Sequence, residues 1–212
     1  MMETLVTPSD SQPDAEMGPR EAEAALLARA ARGDDRAFAE LYEAHRRRLY
    51  RLAYGVLLDP NEAREAVQEA FLALHRAAPA WEPRATVGTW LYRVVLNHCL
   101  GVKQRLLRLV RPAPPREASA KESPEGAAVL SQAVNIVERS LRELPVQQRA
   151  VACLFLEAEL PPIEIAPLVG LTPNATRVTL HRALGRIRAD LTAAGIDAPP
   201  TADEAALRLE EN

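Results

Sequence analysis

Aromatic residues are scarce in this sequence, at 4% of its 212 residues, although hydrophobic residues make up 48%. Any hydrophobic core must therefore consist mostly of Leu, Ala and Val side chains. Leu and Ala are good helix formers, whereas aromatic and β-branched residues favour strands. The alternation of apolar and polar residues that marks a half-buried strand is also missing. The composition therefore predicts an all-α protein.

Cysteine is almost absent, and the two that occur show no sign of a metal or redox motif. Cys99 and Cys153 lie far apart, form no CxxC pair and have no histidine at metal-ligand spacing. We expect both thiols to be small core residues in a reducing compartment.

Several other features are missing, among them long apolar runs, glycine-rich phosphate loops and clusters of catalytic or metal-binding side chains. The first residues also lack the basic-then-apolar order of a signal peptide. We therefore expect a cytoplasmic protein without membrane insertion, with no enzymatic activity, no cofactor and no metal.

The formal net charge is only -3, which argues against a general nucleic-acid coat protein. The charge is unevenly distributed, however. Between Gly170 and Ala189 there are four arginines and no carboxylate, whereas the residues after Gly195 include five carboxylates and one arginine. This pattern favours a protein that touches DNA with one face only.

Proline-rich and polar stretches divide the chain into segments. Residues 1–19 hold little apolar content, and we expect disorder there. A first helical unit follows over residues 20–110, and a proline-rich linker over 111–126 separates it from a second helical unit over 127–192. Residues 193–212 form an acidic tail. The prediction is two small helical domains joined by a linker.

In the first unit, apolar residues recur with a helical period and capping residues mark the helix starts. Asp34 or Asp35 can cap one helix, and Asp59 followed by Pro60 begins the next. A loop is predicted from about residue 78 to 88, and a long helix from 89 to 109. The apolar positions predicted for the helix after Asp35 are Phe38, Leu41, Tyr42, Leu49, Leu52, Ala53, Val56 and Leu57.

The second unit ends in two short predicted helices separated by Gly170-Leu171. Thr172 offers an N-cap and Pro173 a first-turn proline for the second of them. That helix has an apolar side and a basic, polar side, which together indicate a helix-turn-helix that can enter the major groove of DNA. The alternative is a merely solvated helix face. The predicted buried positions are Ala175, Leu180, Ala183, Leu184 and Ile187, and the polar ones are Asn174, Arg177, Thr179, His181, Arg182 and Arg186.

Over residues 24–190 the chain resembles the extracytoplasmic-function (ECF) sigma factors of the sigma-70 family. The resemblance is carried by ALLARAARGDDRAFAELYEAHRRRLYRLA, DPNEAREAVQEAFLALHRA and WEPRATVGTWLYRVVLN in the first unit, and by LRELPVQQRAVACLFLEAELPPIEIAPLVGLTPNATRVTLHRALGRIR in the second. It implies an alternative sigma factor that binds core RNA polymerase, through the β′ clamp helices and the β flap, and directs initiation at particular promoters. It also implies regulation by an anti-sigma factor.

The resemblance assigns the helix with the VQEAF motif to polymerase binding. Val67 and Phe71 lie four residues apart on one face, so both can equally be core residues. The polymerase-binding residues implied are Glu65, Val67, Gln68, Phe71 and Leu72.

Promoter recognition is assigned to two further segments. The loop and long helix from Trp81 to Arg108 correspond to the part that recognises and opens the −10 element, and the second helix of the helix-turn-helix to the part that reads the −35 element. The −10 residues implied are Arg84, Arg93, Asn97, Lys103 and Arg105. The −35 residues implied are Thr172, Asn174, Arg177, Val178, His181 and Arg182.

Some positions depart from the family pattern. Gly101 and Gln104 stand where the family often has an acidic residue and an arginine, Pro167 interrupts the first helix of the helix-turn-helix, and Val178 replaces a common serine. These departures motivate two alternatives: a sigma mimic that sequesters an anti-sigma factor, or a plain helix-turn-helix regulator.

Overall fold

A computed structural model describes residues 18–82, 85–109 and 125–197. These residues form eight α-helices and one short 3-10 helix, Ala78–Ala80, with no strand among them. The prediction of an all-α protein is confirmed. The α-helices are α1 (Pro19–Ala30), α2 (Asp35–Leu57), α3 (Pro60–Ala77), α4 (Val87–Leu109), α5 (Glu125–Glu143), α6 (Val146–Ala158), α7 (Pro162–Val169) and α8 (Pro173–Ala193).

The helix starts in the first unit follow the capping residues. The Asp34 carboxylate accepts hydrogen bonds from the backbone N–H groups of Arg36 and Ala37, both at 3.1 Å. Asp59 likewise accepts from the N–H groups of the second and third residues of α3. Each cap satisfies N–H donors that have no partner within the helix. α4 begins at Val87, two residues before the predicted start.

Leucine and alanine fill the core of the first unit, as the composition predicts. Leu41, Leu52, Ala66, Leu74 and Leu91 are completely buried. Phe38 and Tyr42 differ from the predicted apolar stripe, since Phe38 is half-buried and Tyr42 is 40% exposed. α2 is amphipathic over a wide arc, and Phe38 and Tyr42 lie at the edge of that arc, where their rings contact Phe71 of α3.

A contact between a carboxylate and a histidine ties the first helix to the rest of this unit. Glu23 on α1 lies 3.1 Å from Nε2 of the buried His45 on α2, and its carboxylate also accepts a bond from the Gly88 N–H at the start of α4. The hydrogen bond with His45, more than its charge, holds the pKa of the Glu23 carboxyl below its usual value.

The second unit contains the predicted helix-turn-helix, with a longer second helix than expected. α7 ends at Gly170, whose φ of 69° is left-handed and suits glycine. The Thr172 hydroxyl caps α8 by accepting from the Ala175 N–H. α8 then continues for 21 residues, so the prediction of a short helix was wrong. α8 packs against both α5 and α6, and near its C-terminal end Asp190 accepts a hydrogen bond from Ser140 of α5.

The buried face of α8 differs from the prediction at two positions, one of which is the additional buried residue Leu191. Thr176, not Ala175, is completely buried there, because its hydroxyl donates to the Thr172 carbonyl and needs no water. Leu180, Leu184 and Ile187 are buried as predicted.

The two units pack against each other, mainly through α2 and α6. Pro19, Glu125 and Gly126, which the sequence assigned to a tail and a linker, belong to helices. Residues 1–17 of the segment expected to be disordered, residues 111–124 of the predicted linker and residues 198–212 of the predicted acidic tail lie outside the described residues.

No helix in the described ranges is both long enough and apolar enough to cross a membrane.

Candidate protein- and DNA-binding surfaces

An open groove of about 700 Å³ runs between α2 and α3. Four of the five residues predicted to bind polymerase, Val67, Gln68, Phe71 and Leu72, line it. The fifth, Glu65, is exposed on α3 outside the lining. Four of the predicted residues therefore lie together on α3, which forms one wall of the groove. The other wall is α2, which the prediction did not include.

The floor of the groove is aromatic and apolar. The Phe71 ring lies 4.7 Å from the Tyr42 ring and 6.2 Å from the Phe38 ring, measured between centroids. Phe71 and Val67 are only 4% and 6% exposed, whereas Leu72 is 45% exposed. Phe71 and Val67 are therefore core residues whose outer edges form the floor, and Leu72 is the apolar group most available to a partner.

Arginines surround this floor. Four of them line the groove: Arg46, Arg47, Arg51 and Arg64. An apolar floor with a basic rim matches a helix that presents apolar side chains flanked by carboxylates.

Sequence analysis missed the α2 wall of the groove. Tyr42 was counted as a core position, although a large aromatic at the edge of an apolar stripe can equally face a partner. The run Arg46-Arg47-Arg48 on the same helix could have indicated this wall. Consecutive helical residues point in different directions, so three arginines in a row place charge at the edge of the apolar face.

The six residues predicted to read the −35 element are all exposed on α8 or at its N-cap. Val178 is 43% exposed, so it is part of the solvent-facing surface. Arg186, by contrast, pairs with Glu143 on α5 and lies 3.6 Å from Asp190, which makes it a structural tie between helices. The residues predicted to contact the −35 element thus all lie in the first half of α8 or at its N-cap.

Pro167 does not break α7. It removes one backbone donor, which would have paired with the Ile163 carbonyl. Ile163 and Pro167 are both exposed, and Ile163 is 66% exposed. Water can therefore reach the released carbonyl, and the helix-turn-helix keeps its geometry.

The residues predicted to contact the −10 element are described only in part. Arg93 and Asn97 are exposed on α4, four residues apart and so on one face. Arg84 lies outside the described residues, as do the side chains of Lys103 and Arg105 within α4. Gly101 is helical and exposed, and a Cβ there would meet no atom within 4 Å.

Near the start of α4 two tryptophans pack edge to face. The centroids of Trp81 and Trp90 are 5.6 Å apart, and both rings lie against the core. Trp81 and Trp90 are therefore packing residues, each with one side of its ring against the core.

Both cysteines are buried, as predicted. Burial raises the pKa of each thiol to about 12. In the described part of the chain no group of three or more His, Cys, Asp or Glu side chains could hold a metal ion.

Comparison with known proteins gives one consistent result. Residues 41–106 match the Sigma-70 region 2 family. The chain is 32% identical over 166 residues to the ECF RNA polymerase sigma factor SigM of Mycobacterium tuberculosis, covering 78% of this chain and 82% of that protein. It is 24% identical over 177 residues to the ECF RNA polymerase sigma factor SigW of Bacillus subtilis, covering 76% and 91%.

A solved structure is similar as well. The structure of CnrH in complex with the cytosolic domain of CnrY aligns with a TM-score of 0.59 at 27% sequence identity. The alignment covers 81% of this chain and 98% of CnrH, and therefore includes both helical units.

Proposed function

Because this chain belongs to the ECF sigma factors of the sigma-70 family and so acts in transcription initiation, we propose that it binds core polymerase through the α2–α3 groove. We propose further that it reads a −35 element with α8 and recognises and opens a −10 element with α4. The observation that carries this proposal is the separation of a partner groove on one unit from an exposed recognition helix on the other.

The groove supports the polymerase contact by its chemistry. Its floor offers Leu72 and Tyr42 as exposed apolar contacts, and its rim offers guanidinium groups for carboxylates. A helix pair such as the β′ clamp presents side chains three and four residues apart, the spacing that an open groove between two helices accepts.

α8 supports major-groove recognition. Arg177, His181 and Arg182 lie on its exposed face, and Asn174 is near its start. Arginine suits guanine edges and phosphates, and asparagine suits adenine. The helix N-terminus, which Thr172 caps, is itself favourable for a backbone phosphate.

Opening of the −10 element requires no covalent chemistry from the protein. Bases that leave the duplex are held by stacking and by a positive surface, at about 1–3 kcal/mol per stacked base. Arg93 and Asn97 provide cationic and amide groups on one exposed face of α4 for such a strand.

Regulation by an anti-sigma factor is part of the proposal. CnrH was solved in complex with the cytosolic domain of CnrY, and CnrH aligns over nearly its whole length with this chain. A protein that covers the α2–α3 groove would prevent polymerase binding here. We expect such a partner to carry an amphipathic acidic helix, because the groove is apolar with a basic rim.

A gel-shift experiment with promoter DNA, with and without core polymerase, tests the proposal. A sigma factor shifts promoter DNA specifically only when core polymerase is present. A plain regulator would shift its operator without polymerase, and a sigma mimic would shift neither. The variant Leu72→Asp should abolish the polymerase-dependent shift, whereas Leu156→Asp, which changes a similarly exposed leucine on α6, should leave it intact.

A further inference from the structure

The basic rim of the α2–α3 groove is only partly neutralised by the folded protein. Arg46 and Arg51 each pair with a carboxylate of this chain. Arg47 and Arg64 are exposed, and among the described residues no carboxylate pairs with either of them. Arg64 donates instead to the neutral side chain of Asn61, at 2.8 Å. The rim therefore retains two guanidinium groups that can bind carboxylates from another segment.

The floor of the groove also leaves apolar surface in water. Tyr42 is 40% exposed and Leu72 is 45% exposed, and they face the same groove. Covering them removes apolar surface from water, which favours association. A segment that fits this groove therefore needs an apolar stripe with carboxylates beside it.

Residues 198–212, which lie outside the described residues, have this pattern in their sequence. They contain four carboxylates and one arginine. Four apolar residues among them follow the spacing i, i+3, i+4, i+7, which is the spacing of one helix face. These stripe residues are Ala202, Ala205, Ala206 and Leu209. Three of the four are alanines, so a helix with this stripe can approach a groove floor closely.

The charged residues of the segment fit the same helix. Thr201 followed three residues later by Glu204 is the signature of a capping box at a helix start. At about 100° per residue, Asp203 and Glu210 lie beside the apolar stripe, two turns apart. Glu204 and Glu211 lie on the opposite side. The segment thus places two carboxylates where a basic rim would meet them.

α8 ends close enough to the groove for this segment to reach it. Near the end of α8, Asp190 accepts a hydrogen bond from Ser140 on α5 at 2.6 Å. Two residues earlier on α5, Glu138 accepts one from the Tyr54 hydroxyl on α2 at 2.9 Å. The Tyr54 ring stacks on that of Tyr50, which lines the groove. The end of α8 and the Tyr50 end of the groove are therefore connected through a single intervening helix, α5.

The distances agree with this placement. Packed helix axes lie about 8–10 Å apart, so α8 and α2 are on the order of 20 Å apart across α5. Extended residues 197–201 span about 17 Å, and a helix over residues 202–211 adds about 15 Å. The apolar stripe can therefore reach the groove without any change in the fold of the described residues.

We propose that residues 201–211 bind the α2–α3 groove of their own chain as an amphipathic helix, so that core polymerase must displace them. The inference rests on the proposed function, because it takes this groove as the polymerase-binding site. The basic face of α8 is the other surface that could attract an acidic segment. Val178 is the exposed large apolar side chain on α8, so the apolar stripe favours the groove.

The covalent connection makes a weak contact sufficient. A short flexible linker gives an effective concentration of about 1 mM. A helix that binds the groove with a dissociation constant of about 0.1 mM would then occupy it about ten times as often as it leaves it empty. The apparent affinity for core polymerase would fall by about the same factor, because only the empty groove can bind.

The test compares two leucine variants of the full-length chain. Leu209→Asp places a carboxylate on the apolar stripe. Leu207→Asp is the matched control, since it makes the same change on the opposite side of the helix. Without any partner, the readouts are the nuclear magnetic resonance signals of the Leu72 methyl groups and the Gln68 side-chain amide, both in the groove. With purified core polymerase, the readout is the dissociation constant, and far-UV circular dichroism monitors folding.

We expect Leu209→Asp to shift the Leu72 and Gln68 signals and to bind core polymerase about tenfold more tightly than the wild type. Leu207→Asp should match the wild type in both measurements.

A second pair of variants tests the carboxylates without changing the stripe. Asp203→Asn/Glu210→Gln should bind core polymerase about threefold more tightly than the wild type at low salt, and the difference should disappear at high salt, which screens exposed ion pairs. Glu204→Gln/Glu211→Gln removes the same charge from the opposite side and should follow the wild type. Glutamine at position 204 also completes a capping box.

Three results would overturn the proposal. The first is a Leu209→Asp variant whose groove signals equal those of the wild type. The second is an equal gain in polymerase affinity for both leucine variants, and the third is a change in promoter binding by Leu209→Asp without a change in core binding, which would place the segment on α8. If no form bound core polymerase while the groove signals still shifted only in Leu209→Asp, the proposed function would be wrong and occupation of the groove by this segment would stand.

Discussion

The two candidate binding surfaces of this chain relate to its hydrophobic core in opposite ways. In the α2–α3 groove, the floor residues Val67 and Phe71 are at once core residues and predicted contact residues. On α8, the predicted contact residues are all exposed, and the core residues between them are separate side chains. A groove that binds a protein needs a rigid apolar floor. The major groove of DNA is instead read by the polar ends of exposed side chains, which a helix can carry without any change to its buried face.

This difference predicts how mutations behave. Changes in the groove floor should affect folding and binding together, and changes on α8 should affect DNA binding alone.

The largest effect is expected for Phe71→Ala. Removing a buried phenylalanine costs about 3–5 kcal/mol of the free energy of unfolding, and here it also removes the ring that packs on Tyr42. Leu72→Ala, one residue away but 45% exposed, should cost less than about 1 kcal/mol and yet weaken polymerase binding. Chemical denaturation and core-binding titrations measure the two quantities. Equal losses in the free energy of unfolding for Phe71→Ala and Leu72→Ala would contradict the distinction between a buried floor residue and an exposed groove residue.

The next effect concerns α8. Arg177→Ala and Arg182→Ala should each weaken holoenzyme binding to its promoter by about 1–3 kcal/mol if the side chain reads a base, while the free energy of unfolding stays within about 0.5 kcal/mol. If the contact is to phosphate, the loss is the same on all sequences and the slope of log affinity against log salt falls by about 1. Promoter binding at several salt concentrations distinguishes these cases. If either variant unfolded, that side chain of α8 would be needed for folding, and the expected separation between folding and DNA binding would be wrong.

Smaller changes in the free energy of unfolding are expected for substitutions at the helix N-caps of the two units. Asp59→Ala at the start of α3 and Thr172→Ala at the start of α8 should each cost about 1 kcal/mol of stability, because each leaves helix N–H groups without an acceptor. Thr172→Ser keeps the hydroxyl and should retain stability. If Thr172→Ser nevertheless lowers promoter affinity, its methyl group contacts DNA. Thermal unfolding of the three variants, measured side by side, gives the stability terms.

The smallest effect is expected for substitution of Glu23, which connects α1 to His45 on α2 and to the start of α4. Its folded pKa lies below the ordinary value of 4.5, chiefly because of the hydrogen bond with His45. The folded state therefore binds fewer protons than the unfolded chain. The resulting stability is complete at neutral pH and is lost as the pH falls through the lowered folded pKa.

Glu23→Gln should accordingly lower the midpoint of urea unfolding at pH 7, and the difference from wild type should shrink in acid. Glu40→Gln, an exposed carboxyl on α2, is the control and should follow the wild type throughout. A Glu23→Gln deficit that is constant with pH would contradict the role assigned to the Glu23 carboxylate.

The sequence predicted the helices, their caps and the exposed face of α8 because each depends on local rules. Asp34, Asp59, Gly170 and Thr172 act on residues within a few positions of themselves, and the 3.6-residue period identifies a buried side. The α2 wall of the groove was missed because it depends on which helix packs beside α2. The close approach of α2 to α6, where a Cβ on Gly55 would overlap Sγ of Cys153, was missed for the same reason, because these two residues are far apart in the chain.

The most direct test of the proposed function is run-off transcription with purified core polymerase on a genomic promoter library, at defined salt. We expect discrete start sites that depend on the added protein, that share two upstream elements, and that weaken when Arg177 and Arg182 are both replaced by alanine. Start sites that are absent, although the protein binds core polymerase tightly, would contradict the account and identify the chain as a sigma mimic.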